Sequence, residues 1–125
     1  MKSFKSMREF MEALDREGDL VRIKAEVDKS WEISTVSRQM CFSYKLDQRP
    51  ALLFENIKGF KMPLLLNESA TPRRAAMALG IFNEDPAGRR KEMHEKFWSA
   101  YENKQKPRII KNAPCKENIV MGDDV

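Results

Sequence analysis

The acid whose position most invites chemistry is Glu55, which closes the apolar run Pro50-Ala51-Leu52-Leu53-Phe54. Ligand clefts of α/β folds lie beyond strand ends, so a carboxylate there could act on a substrate or a cation. The plainer alternative, an ion pair or a cap at the rim of a sheet, weighs more heavily. Asp123 and Asp124 offer oxygen donors suited to a hard divalent ion. Neighbours in an extended chain point to opposite sides, however, so the pair reads more simply as a turn or terminus. His94, the one histidine, sits between Met93 and Glu95 beside an apolar stripe and is expected to be an exposed helix residue rather than a base. Cys41, at the edge of a helical apolar face, behaves by default as a small hydrophobe, and Cys115 is a loop thiol beside Lys116.

Nothing completes these groups into a site. The chain has no glycine-rich phosphate loop, no pair of histidines at helical spacing and no nucleophile elbow. Two distant cysteines without CxxC spacing argue against both a zinc site and a disulfide scaffold.

The elements that would have to position such residues follow from periodicity. Ser6 to Glu9 have capping-box form, and Met7, Phe10, Met11 and Leu14 recur at helical spacing until Gly18 supplies a stop. Val21, Ile23, Ala25 and Val27 alternate with charged residues and predict a half-buried strand. Ile33, Val36 and Met40 return to helical spacing, and the helix is expected to run from Glu32 to about Phe42. Ala51 to Phe54 suit a strand covered on both faces, Ile57 to Phe60 a turn, and Met62 to Leu66 a second buried strand with Pro63 confined to its start or edge. Thr71-Pro72 begins a helix that Gly80 closes, and Asp85-Pro86 begins another. In that last helix Met93, Phe97 and Tyr101, with Trp98 beside them, form an aromatic stripe on a polar rod. The stripe is expected to pack on its own domain or the next one rather than on a cofactor. After the polar stretch 104–107 come two strand-like segments, Arg108 to Lys111 and Glu117 to Met121, with no obvious third partner.

These elements predict a small α/β (α+β) domain: three strands flanked by three or four helices over residues 1–105, then a stub, 106–125, of a following domain. At 125 residues one core is the default. Hydrophobic residues at 42% and charged residues at 34% describe a solvated globular chain, without the ~18-residue apolar run of a membrane span or the core of a signal peptide. A cytoplasmic location is expected. The net charge of +4 raises nucleic acid as a partner, yet the basic residues are interleaved with acids. The densest clusters, Arg73-Arg74 and Arg89-Arg90-Lys91, fall in first turns of helices and read as wet helix faces. No nucleic-acid and no membrane partner is expected.

The order of the pieces carries more. SMREFMEALDREGDLVRI, EVDKSWEISTVSRQ, PALLFENIKGFKMPLLLN, TPRRAAMALGI and APCKENIVMGDDV together resemble the N-terminal portion of the UbiD family of carboxy-lyases. The PALLFENIKG segment, the methionine-proline strand and the R-x-A-x-A-L-G helix are the more specific parts. What the resemblance implies is a decarboxylase that uses prenylated FMN, with Mn²⁺ and K⁺ at its phosphate, on aromatic or α,β-unsaturated acids, in an enzyme expected to be a homo-oligomer. The flavin acts as electron sink, and the protein positions it and supplies a proton. In that family the metal ligands, phosphate-binding residues and catalytic acid and arginine lie in the middle domain and beyond. No position of residues 1–125 matches them, so the expected catalytic, cofactor-binding and metal residues of this chain are none. The chain is expected to be inactive alone, as a piece of a decarboxylase whose partner is the rest of the chain. The alternative is a non-enzymatic subunit that docks on a flavin-carrying partner, with Phe97, Trp98 and Tyr101 as its contact face.

Overall fold

The computed structural model describes residues 4–111, Glu117 and Gly122. The first helix, α1 (Met7–Arg16), starts where the Ser6 hydroxyl accepts from the Glu9 N–H at 3.3 Å. It ends in a Schellman motif: Asp19 N–H donates to the Leu14 carbonyl and Gly18 N–H to that of Asp15, with Gly18 at φ +73°. Phe10, Ala13 and Leu14 are its buried face, while Met7 stays exposed.

The strand β1 (Leu20–Ile23) follows at once, and α2 (Glu32–Ser43) carries the chain to β2 (Ala51–Phe54). β1 and β2 are parallel, Leu20 opposite Ala51 and Ile23 opposite Phe54. β3 (Leu64–Leu66) returns antiparallel to β2, with Leu66 opposite Leu52 and Leu64 opposite Phe54. The order β1-β2-β3 leaves β2 in the centre. A single 3-10 turn, Leu46–Gln48, precedes β2, and α3 (Pro72–Ala78) and α4 (Pro86–Glu102) complete the element order.

The expected α/β domain with a three-strand sheet and four helices is present. All of β2 is buried, as its unbroken apolar run predicts. Because side chains alternate along a strand, Ala51 and Leu53 pack with Phe10, Ala13, Leu14, Leu20 and Met77 on one face. Leu52 and Phe54 pack with Val27, Ile33 and Ile57 on the other.

Four expectations are corrected. The first strand ends at Ile23, and Val27 forms only a lone bridge with Ile57. β3 begins at Leu64 rather than Met62 and is an edge strand with one partner, so Met62 stays 77% exposed. Arg108 to Lys111 form no strand: among the described residues no strand pairs with them, and Ile109 is 94% exposed. Arg74 and Arg89 are not on wet helix faces but nearly fully buried, at 1% and 7% exposure. The strand expected over residues 117–121 lies outside the described residues apart from Glu117. Among the described residues no helix is long and apolar enough to cross a membrane.

Candidate functional site

Glu55 stands just past the end of β2 and is taken up by Arg22, whose Nη1 lies 2.6 Å from Glu55 Oε1 while Nη2 reaches Asp15 Oδ2 at 2.7 Å. The two carboxylates, Asp15 first, stabilise the charged guanidinium and hold its pKa above the ordinary value. Glu55 is thus a clasp between β2, β1 and α1, the plainer of its two readings. A second clasp joins α3 to the α1–β1 turn: Arg73 bonds Glu17 at 2.5 Å and also Asp19.

The other sequence candidates do not converge. His94 is exposed on α4 and accepts from Trp98 Nε1 at 2.6 Å, one turn away. Cys41 is a free, half-buried thiol on α2. Cys115, Asp123 and Asp124 lie outside the described residues. Among the described residues no three His, Cys, Asp or Glu side chains come together that could hold a metal ion.

Two polar features were missed because residue type predicts a solvated arginine and only packing reveals a buried one. The first is Arg74, whose Nε and Nη2 each donate at 2.9 Å, to the carbonyls of Glu68 and Asn67. Burial draws its pKa below the ordinary arginine value. The only sequence signal for it was its place as the arginine of the R-x-A-x-A-L-G pattern. The second is a cavity of about 370 Å³ between the 3-10 turn and the starts of α3 and α4. Leu46, Asp47 and Pro72 form one side of it, and Pro86, Arg89, Arg90 and Met93 of α4 the other.

The aromatic stripe of α4 lies open, with Phe97 64%, Trp98 45% and Tyr101 53% exposed. The rings stack edge to face, Phe97 on Trp98 at 5.9 Å and Trp98 on Tyr101 at 5.6 Å between centroids. The Lys104 ammonium caps the row, 3.6 Å from the Tyr101 centroid. Among the described residues nothing covers the stripe, so of the two expected surfaces, its own domain or the next one, it does not pack on the first.

The 3-octaprenyl-4-hydroxybenzoate carboxy-lyase N-terminal domain, the UbiD N-terminal domain, matches residues 11–95. Solved structures agree. Vanillic acid decarboxylase of Sedimentibacter hydroxybenzoicus in open form, with truncated ShVdcD, is 31% identical over 98% of this chain and 26% of its own, with a TM-score of 0.72. Its closed form gives 0.71, again at 31% identity, over 96% of this chain and 25% of that one. An evolved dimeric form of the UbiD-class enzyme HmfF from Pelotomaculum thermopropionicum, in complex with prFMN, is 28% identical over 86% of this chain and 22% of its own, at 0.66. The chain belongs to the UbiD N-terminal domain family. It spans about a quarter of the length of these enzymes.

Proposed function

We propose that this chain is the N-terminal, non-catalytic domain of a prenylated-FMN-dependent decarboxylase acting on an aromatic or α,β-unsaturated carboxylic acid. The carrying observation is the family match over residues 11–95 together with the alignment of nearly the whole chain onto about a quarter of a vanillic acid decarboxylase. Residues 1–105 form the domain and 106–125 lead into the flavin-binding middle domain. Its work is mechanical: it packs on the flavin-binding part and walls off the substrate cleft, excluding water from the reacting carbons. The prenylated FMN, Mn²⁺ and K⁺, and the residues that move the proton, belong to that other part. The assembled enzyme is a cytoplasmic homo-oligomer.

The test mixes the purified chain with prenylated FMN, Mn²⁺ and an aromatic acid. Neither turnover nor flavin absorbance carried through gel filtration is expected; either one overturns the non-catalytic reading.

A second reading, a separate subunit docking on a flavin-carrying partner, is favoured by the open ring stack of Phe97, Trp98 and Tyr101. Aromatic rings of this kind are enriched in the buried centres of interfaces. Co-purification of a flavin protein with the chain, lost when Trp98 is replaced by alanine, would select this reading over a covalently continuous enzyme.

A further inference from the structure

The cavity beside α4 holds an unusual cation. Arg89 is 7% exposed, and its Nη1 reaches only the carbonyls of Asn83 at 3.3 Å and Glu84 at 3.5 Å. Those lengths are at the outer limit of a hydrogen bond. Among the described residues its Nε and Nη2 have no hydrogen-bond partner, and no carboxylate lies within ion-pair distance of it. Arg74, more deeply buried at 1% exposure, holds two carbonyls at 2.9 Å. The idle donors of Arg89 are not sealed from solvent, since among the described residues Arg49 Nε is the only buried side-chain donor without a partner; they are free to meet a ligand. Arg89 lines an open cavity.

From this we infer that the cavity between the 3-10 turn and the starts of α3 and α4 binds a small organic monocarboxylate with an apolar body. The planar fork of a guanidinium matches a carboxylate in a two-bond arrangement, and that pairing would satisfy the donors Arg89 leaves idle. Arg90, exposed at the same cavity, adds a second cation, and Asp47 across from it subtracts one, so the lining carries a net charge of +1. One negative charge balances that, whereas a dianion such as phosphate leaves an excess negative charge beside Asp47. Leu46, Pro72, Pro86 and Met93 supply the apolar walls. The volume of about 370 Å³ lies at the small end of ligand cavities, roughly 300–1,000 Å³, and suits an acid of one ring. The assignment goes beyond the decarboxylase reading and does not rest on it.

The test is a chemical-shift titration of the isotope-labelled 125-residue chain with benzoate, benzamide and inorganic phosphate as probes. Benzoate is expected to give saturable shifts at the amides of Arg89, Arg90 and Met93, with benzamide and phosphate at least about tenfold weaker. Arg89→Lys keeps the charge but loses the fork and should weaken benzoate about tenfold. Arg90→Glu reverses the local charge at an exposed position that the core does not need, and should weaken it as much. Where the Arg89→Lys spectrum loses its dispersion, Arg90→Glu decides. Benzamide binding as tightly as benzoate, phosphate binding more tightly, shifts that rise without saturating, or unchanged benzoate affinity in a folded variant would each overturn the assignment.

Discussion

Arg74 is tied to Asn67, the only non-glycine residue of left-handed backbone among the described residues. Arg74 Nη2 donates to the Asn67 carbonyl at 2.9 Å, and Asn67 occupies the left-handed region at φ +57°. Asparagine tolerates that region better than most residues. Its side chain then turns to α2, accepting from Ser37 Oγ at 2.9 Å and donating to the Ser37 carbonyl at 3.2 Å. The loop after β3 is thereby tied to α2 on one side and α3 on the other, which fixes where the edge strand ends.

That relationship predicts a large effect of a change at Arg74. Arg74→Met keeps the length of the side chain but removes both donors, leaving two carbonyls without their buried partner. A loss of about 3 kcal/mol is expected, the scale of two hydrogen bonds from a charged group. Urea unfolding should show a lower midpoint at an unchanged slope. A midpoint equal to that of the parent chain would mean that water satisfies the carbonyls of Asn67 and Glu68.

Phe54 has no exposed surface and lies at the end of the central strand, so Phe54→Ala should cost about 3–5 kcal/mol by lost burial and cavity formation. Met62, 77% exposed a few residues away, is the matched control. Met62→Ala should stay within about 0.5 kcal/mol. Thermal unfolding of the two variants side by side checks the prediction, and equal shifts would contradict the burial assigned to β2.

Gly18 tests the backbone alone. A Cβ there would meet nothing within 4 Å, so the cost of Gly18→Ala comes only from its φ of +73°. About 1 kcal/mol is expected, as for other left-handed helix stops. Equilibrium unfolding reads it directly, and a stabilised variant would show that the turn had relaxed out of the left-handed region.

Asp28 gives a pH signature. Its carboxylate accepts from the Ser30 N–H at 2.7 Å, and that hydrogen bond holds its pKa below the ordinary value. A carboxyl group with a depressed pKa in the folded state stabilises the fold fully above its unfolded value, roughly pH 4. That contribution fades as pH falls through the folded value. Asp28→Asn should therefore lower the melting temperature at neutral pH and flatten its decline below about pH 4. Parallel pH profiles for the two proteins would refute the shift.

The amino-acid sequence alone determined the local elements, because their signals are local. The cap and stop of α1, the unbroken apolar run of β2 and the Thr71-Pro72 and Asp85-Pro86 helix starts depend on residues within one or two turns of each other. It also determined the family, through segments whose order alone is informative. Only tertiary structure decided which charged groups leave water. Arg73 and Arg74 are neighbours of the same type on one short helix; one clasps Glu17 and Asp19 at the surface, and the other is sealed beneath the loop at Asn67. Arg89 and Arg90 divide in the same way at the cavity mouth. The physical reason is that desolvation is set by what the rest of the chain lays over a side chain, and residues far apart in sequence do that covering.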